Sequence, residues 1–481
     1  MVDTILMVHG YSVRTLNSWG RLPALLQADG FAAAAIYLSA FVSLDDYVSC
    51  DDLAAALEDQ IATLEAQGLK LATTALVAHS TGAIIARRWM LNRRTLDKPS
   101  LSHFISCAGA NHGSTLAQLG RGELARLFRG LTQDSSVGRR VLADLDYGSD
   151  FLRHLNKEWL DAWNDARAPL YRDTFCFSMG GTDHSFWENH LAWQSREAGS
   201  DGTVRIASAN LNYRIISVTP PYTTLTTSLL SRPAPHLIVQ EPNNIYSHTS
   251  QAKQDTLGLV MSSAENAVNT ITHFGGNPEP VSSSASGILE GIVSPDERPY
   301  RALKEAISVV DEASYGVVAQ RWNAESATWT DGNVDQACST IVVAMHDAND
   351  RLVDDSLVLI RDGEGGTIGG VASSVLTNQP IRNELDPSVI SVYVNWAAFH
   401  DVHPHSIYAE AKTDSAYVAY DLKIDAPLSD GSDPHSHVIA PNEFTYVDVT
   451  TSRNARAAFK FYSASDPKLT GILNTAYPPF P

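Results

Sequence analysis

The sequence predicts a doubly wound, mostly parallel α/β sheet followed by an antiparallel β-sandwich. Three observations predict it. Up to about residue 270, short apolar runs alternate with longer amphipathic ones, the pattern of strands joined by crossover helices. Residues 275–287 are rich in Gly, Pro and Ser and read as a linker. From about residue 320 the runs become short, β-branched and aromatic, with turn clusters between them. A chain of 481 residues is also too long for one compact core and suggests domains of roughly 150 residues each. The reading therefore divides it into an α/β domain over 1–285 that ends in the linker, a connecting segment over 286–320, and a β-rich domain over 321–481.

The elements follow in order. Residues 4–8 have the pattern of a buried strand, 22–28 of a helix and 32–38 of a second strand. In 51–67, Leu53, Leu57, Ile61 and Leu64 recur at helical spacing and Gly68 stops the helix. A strand over 74–78, a helix over 82–91 and strands over 104–107 and 174–179 continue the alternation. Residues 251–272 and 299–310 suit helices. The β-rich part offers strands at 340–345, 357–360, 389–394, 406–411, 417–424, 444–449 and 457–462. No internal repeat is present.

Composition excludes several classes. The 44% hydrophobic content is too high for a disordered chain. With 35 Lys+Arg against 54 Asp+Glu the net charge is −19, which argues against nucleic acid as a partner. Residues 281–481 carry −14 of it. Cys50, Cys107, Cys176 and Cys338 are far apart and form no C-x-x-C pair, so neither a disulfide framework nor a four-thiolate metal site is expected. The N-terminal stretch lacks a basic region before its short apolar run, and no apolar run near it reaches the ~20 residues of a membrane span. Membrane contact would be peripheral, and the expected location is cytoplasmic or at a membrane surface.

Residues 74–88 are the most informative. An apolar strand runs into Ala78-His79-Ser80-Thr81-Gly82 and then directly into a helix. A nucleophile elbow needs small residues two before and two after the serine, because the turn that carries it is tight and strained. Ala78 and Gly82 meet that need, with alanine in place of the more usual glycine. The strand-before, helix-after context carries the assignment, because the five-residue pattern alone is weak. Upstream, a strand ends in His9-Gly10-Tyr11. The backbone N–H of Tyr11 and that of Thr81 would form the oxyanion hole, with His9 itself structural. A serine nucleophile then needs an acid and a histidine, in that chain order. Asp201, in Gly199-Ser200-Asp201-Gly202, is the favoured acid, since a tight Asp-Gly turn can hold a carboxylate toward the site, and Asp183 is its rival. His248, in a loop after the apolar run at 237–239, is the favoured base over His236 and His273.

These motifs, together with Ala110-Asn111-His112-Gly113-Ser114, resemble those of α/β-hydrolase lipases. The His-Ser-Thr-Gly elbow, the length and the β-rich extension look like the bacterial PlaB-type phospholipase A/lysophospholipase A family. The resemblance implies an α/β-hydrolase fold and a catalytic triad of Ser80, Asp201 and His248. It also implies membrane-associated enzymes acting on diacyl- and lysophospholipids, with a C-terminal domain needed for activity. The partner it implies is a phospholipid surface. No cofactor or metal is required by the chemistry, and a homo-oligomer is left open.

Weaker signals surround this core. Arg87, Arg88, Arg93, Arg94 and Lys98, then Arg121, Arg126, Arg129, Arg139 and Arg140, form a basic region that suits either a solvated helix face or anionic headgroups. His400, His403 and His405, and His435 and His437, lie in Pro-containing turns that read as loops rather than a metal site. The uncharged stretch 220–230 suits a lid or a buried connection. Trp396, Phe399, Tyr477 and Phe480 are candidate interfacial aromatics. Two other functions fit the same chain: a triacylglycerol lipase or general carboxylesterase, and a catalytically silent scaffold whose β-domain binds a partner.

Overall fold

The computed structural model describes residues 1–10, 19, 21–39, 45–118, 138–182, 197–219, 225–241, 244–247, 285–287, 292, 294–347, 356–361, 381–383, 385–386, 389–401, 406–411, 419–420, 423–427, 439–451 and 453–454. Its first sheet contains β1 (Thr4–Val8), β2 (Ile36–Leu38), β3 (Thr74–His79), β4 (His103–Cys107) and β5 (Phe175–Gly180). Two further strands, β6 (Tyr213–Val218) and β7 (Leu225–Leu229), leave it, and β8 (His236–Ile238) returns to its edge. The order is β2-β1-β3-β4-β5-β8, and every pairing is parallel. Apolar runs such as Ala75-Leu76-Val77-Ala78, buried throughout, mark strands covered on both faces. The expected strand over 32–38 is shorter than its pattern. Ala33–Ala35 form a 3-10 turn before β2, because three alanines favour helical turns and bring no β-branched side chain.

Helices cover the two faces. On one lie α2 (Cys50–Ala66), α3 (Thr81–Thr95) and α5 (Asp150–Trp163), with α4 (Arg139–Leu145) beside them; α1 (Leu22–Ala28) covers the other face. Ser49 and Asp52 close α2 with a reciprocal capping box. Two later helices, α6 (Arg298–Ile307) and α7 (Glu312–Gly332), join α1. The last corrects the expectation of strands from about residue 320. An Asp311–Ser314 capping box starts α7, and Tyr315, Val318, Trp322 and Trp329 are its buried side chains. Trp322 meets Phe177 of β5 edge-on, the Tyr315 hydroxyl donates to the carbonyl of Cys176, and the Ser326 hydroxyl bonds both edge groups of β8, His236 O and Ile238 N. A helix from beyond the linker thus completes the layer over the first sheet and covers the open edge of β8.

The second sheet runs β10-β11-β9-β12-β6-β7, with β9 (Cys338–Asp347), β10 (Ile381–Arg382), β11 (Ile390–Asn395) and β12 (Phe444–Thr451). It is mixed, where the alternation suggested antiparallel pairing throughout: β9, β12 and β6 are mutually parallel, and the flanking pairs are antiparallel. Its β6 and β7 come from within the first 285 residues. Residues 225–229 of the proposed lid are therefore an edge strand. The two sheets share one core: Tyr213, Val342, Val389, Phe444 and Tyr446 pack in the same cluster as Tyr147, Leu152 and Leu155. At Gly148, with φ of 72°, a Cβ would fall 2.5 Å from Val389 and 2.6 Å from Val342, so only glycine lets these layers meet.

Burial of neutral histidines makes stability depend on pH. It pushes the imidazole of His103 down to about 4 and that of His236 to about 3. In the unfolded chain both titrate near ~6.5. The unfolded state then takes up these protons first, so their contribution is complete above about 6.5 and is lost as pH falls toward the folded values. The expected slope is about 1.4 kcal/mol per pH unit for each histidine between those limits. Urea midpoints at pH 7, 6 and 5 check this, and His236→Gln should make the fall shallower.

Candidate active site

The carboxyl ends of the first sheet's strands carry the site. Between β3 and α3, Ser80 has φ of 56° and ψ of −127°, a conformation that a residue with a Cβ holds only under strain. Its backbone is pinned on three sides: its N–H donates to Cys107 O (3.2 Å), and its carbonyl accepts from Ala83 N (3.0 Å) and Ala110 N (3.2 Å). Gly10 and Gly82 make the elbow possible. A Cβ on Gly10 would lie 2.5 Å from Ser80 Cβ, and one on Gly82 would lie 2.6 Å from the carbonyl oxygen of His9. Both of the predicted small-residue positions, Ala78 and Gly82, are fully enclosed. Thr81 is the first residue of α3, so its N–H belongs to the unbonded first turn and lies at the positive end of a 15-residue helix. Tyr11, the other predicted oxyanion donor, lies outside the described residues; Gly10 before it packs against the serine.

The segment 108–114 ties this elbow to the loop that carries Asp201. The Asn111 amide donates to Ser106 Oγ (3.0 Å) and to Ala209 O (2.9 Å). His112 Nε2 bonds Asn210 O (3.0 Å), and its ring stacks on Phe444 of the second sheet. The Ser114 hydroxyl donates to Thr203 O at 2.6 Å. Arg87, buried on α3, donates to Asn111 O and Asn156 Oδ1 and lies over Trp159. Burial pushes its pKa down. These bonds give the Ala-Asn-His-Gly-Ser motif a structural role in the site.

Asp201 is 1% exposed. Its Oδ1 accepts from Thr203 N (2.9 Å) and Val204 N (2.7 Å), and its own N–H donates to Val204 O, so the turn fixes the carboxylate by local bonds. Sequence reasoning missed Glu197 and Arg205, which flank this turn as a buried ion pair (2.6 Å) and show no pattern that would have marked them. Burial opposes the Arg205 charge, but the facing Glu197 carboxylate outweighs it and leaves the guanidinium pKa raised.

His248 and Asp183 lie outside the described residues. In sequence, His248 directly follows the strand Asn244–Ser247. Of the other described histidines, His9 stacks on Trp19 at 3.7 Å, and His112 and His236 are buried and neutral. His236 sits within β8, with its Nδ1 bonded to Ser178 Oγ at 2.9 Å. The first half of the basic region is neutralised internally. Arg88 pairs with Asp51 and Glu158, Arg93 with Glu58 and Glu65, Arg94 with Asp165, and Lys98 with Glu58. Arg139 pairs with Asp46, and Arg121, Arg126 and Arg129 lie outside the described residues. Of the histidine-rich loops, His403, His405, His435 and His437 lie outside them too, as do the side chains of His400 and Phe399 and the whole of Tyr477 and Phe480. Among the described residues no group of three His, Cys, Asp or Glu side chains could hold a metal ion. A groove of about 1290 Å³ lined by Arg94, Lys98, Ser102, His103 and Val309 opens at the opposite, amino end of β4. The length of the sheet separates it from Ser80.

No protein-family model and no curated protein sequence matches this chain. Among solved structures, phospholipase PlaB from Legionella pneumophila superposes with a TM-score of 0.76 at 22% identity over 97% of both chains. The same protein in complex with thio-NAD gives 0.74 at 21% identity, over 96% of this chain and 97% of that one. The fold is that of PlaB. A Bacillus licheniformis lipase in mature form aligns over 44% of this chain and 80% of that one, at 16% identity, with a TM-score of 0.32. The superposition runs along the chain through the first and the second sheet alike. Among the described residues no helix is long and apolar enough to cross a membrane.

Proposed function

We propose that the chain is a serine hydrolase that cleaves acyl esters of phospholipids and lysophospholipids through Ser80, Asp201 and His248. The observation that carries this reading is the strained Ser80 elbow, held at the mouth of the sheet by Gly10 and Gly82. The PlaB fold along the whole chain supports the lipid substrate. In this mechanism Ser80 Oγ attacks the ester carbonyl while His248 takes its proton, and Asp201 keeps the imidazole in the required tautomer. The oxyanion forms against the N–H groups of Thr81 and Tyr11, at about 3 kcal/mol of barrier per donor. Collapse expels the lysophospholipid or glycerophospho alcohol, protonated by the same histidine. Water activated by His248 then releases the fatty acid and frees Ser80. Binding at a lipid surface brings the site to its substrate.

The test is a substrate panel. Purified protein should hydrolyse phosphatidylglycerol vesicles and lysophosphatidylcholine micelles well above tributyrin emulsion. A preference for tributyrin would replace the reading with a general lipase. Failure of a fluorophosphonate to label Ser80 in folded protein would leave only the silent-scaffold reading.

A further inference from the structure

The loop that bears Asp201 is gripped from both sides of the molecule. A bridge between Ser200 and Arg205 closes it. Four residues before Asp201 stands Glu197 and four after it Arg205, each 1% exposed at its side chain, joined by two bonds of 2.7 and 2.6 Å. The guanidinium lies between two rings, 4.4 Å from the centre of Tyr147 and 4.0 Å from that of Tyr393, and reaches Thr340 Oγ1 at 3.3 Å. Tyr393 and Thr340 belong to the second sheet. The Tyr393 hydroxyl also donates to Ala198 O (2.5 Å), and Gln336 Oε1 accepts from Gly199 N (2.8 Å). A Cβ at Gly199 would fall 2.4 Å from Gln336 O, so the limb entering the acid turn lies directly against the chain that leads into β9. On the other side, Thr115 donates to Glu197 Oε2 (2.8 Å), next to Ser114, which holds Thr203 O.

We propose that Glu197 and Arg205 are positioning residues for Asp201, and that the second sheet, through Tyr393 and Thr340, sets the orientation of the acid. This rests on Asp201 being the acid of the proposed function. Stability alone does not call for such a pair, because burying two charges is costly and apolar side chains of equal volume commonly serve as well. A bidentate guanidinium–carboxylate pair instead fixes geometry, since the planar fork admits one arrangement. Here that arrangement locks the two ends of one short turn. The carboxylate within it is fixed by its own backbone bonds, so the position of the whole turn decides where the carboxylate points.

The experiment uses the full chain and a soluble p-nitrophenyl butyrate, with rates expressed per active site titrated by a fluorophosphonate. The double variant Arg205→Met/Glu197→Gln leaves no buried charge unpaired. It should lower kcat by about 10²-fold, the scale of a small misplacement in an active site, with KM little changed. The acid limb of its pH–rate profile should move to lower pH, because a carboxylate held less firmly to the imidazole raises the histidine pKa less. Tyr393→Phe keeps the ring over Arg205 and removes only the hydroxyl, so it folds if the double variant does not; it should lower kcat several-fold with the same direction of shift. Arg205→Lys should recover part of the loss. Folded variants with wild-type kcat per site and an unmoved acid limb would overturn the proposal and leave a structural brace. Asp201→Asn separates the two readings: if it keeps full activity while Ser80→Ala has none, the acid assignment fails whatever the pair does.

Discussion

Ser80→Ala is expected to lower ester hydrolysis by about 10⁴-fold or more while the protein stays folded. The alanine keeps the Cβ at φ of 56°, so the backbone strain and the bonds to Cys107, Ala83 and Ala110 are unchanged. Only the attacking oxygen is lost. What survives is the background that oriented donors and substrate binding supply without a nucleophile. A companion, Ser80→Gly, should be equally inactive yet more resistant to heat, because glycine occupies positive φ at no steric cost and relieves strain of about 1–3 kcal/mol. Kinetics on a phospholipid and a short-chain ester, with melting curves for both variants, check the pair. A well-folded Ser80→Ala protein that keeps most of its activity would move the nucleophile elsewhere.

Gly10→Ala is expected to cost about 10²-fold in kcat or more without replacing any residue of the proposed triad. The new methyl would meet Ser80 Cβ at 2.5 Å, Ser80 Oγ at 3.0 Å and the His79 carbonyl at 3.1 Å. Neither neighbour can yield cheaply. Gly10 lies two residues past β1 and Ser80 directly follows β3, and those strands pair in register from Thr4 with Thr74 to Val8 with Ala78. Overpacking of this kind typically destabilises by about 1–3 kcal/mol, so the melting point should fall as well. Gly316→Ala is the control: it lies within α7 with nothing within 4 Å of an added Cβ, and should leave the rate unchanged and the stability equal or slightly higher. Wild-type kcat in Gly10→Ala would mean that β1 does not press on the nucleophile.

Much of the first sheet was legible because its signals are local. An apolar strand must be followed by a small residue, a serine and a helix for an elbow to form, and residues 74–88 spell that out with no help from the rest of the chain. The Asp201 turn is local in the same way, since two of its carboxylate's bonds go to residues two and three positions on. The start of α7 was written there too: Asp311 and Ser314 form a capping box, and Tyr315, Val318 and Trp322 recur at helical spacing. Its tryptophans, threonines and valines favour strands by composition, and the periodicity outweighed them.

What only the tertiary structure decided involves partners far apart in sequence. Local pattern cannot report that β6 leaves the first sheet to pair with β12, because parallel neighbours are chosen by which edge is free after every strand has packed. Nor can it report that Arg205 faces Glu197 between Tyr147 and Tyr393, since an isolated arginine looks the same on a solvated surface as in a core. The basic region gives the converse lesson: five cations close in sequence suggest a charged face, yet Arg87 is buried and Arg88, Arg93, Arg94 and Lys98 meet carboxylates brought in by α2, α5 and the turn after it. Sequence by itself determined the elements and the elbow, which depend on short-range sterics and hydrogen bonds. The surroundings of each charge depend on chain segments that only folding brings together.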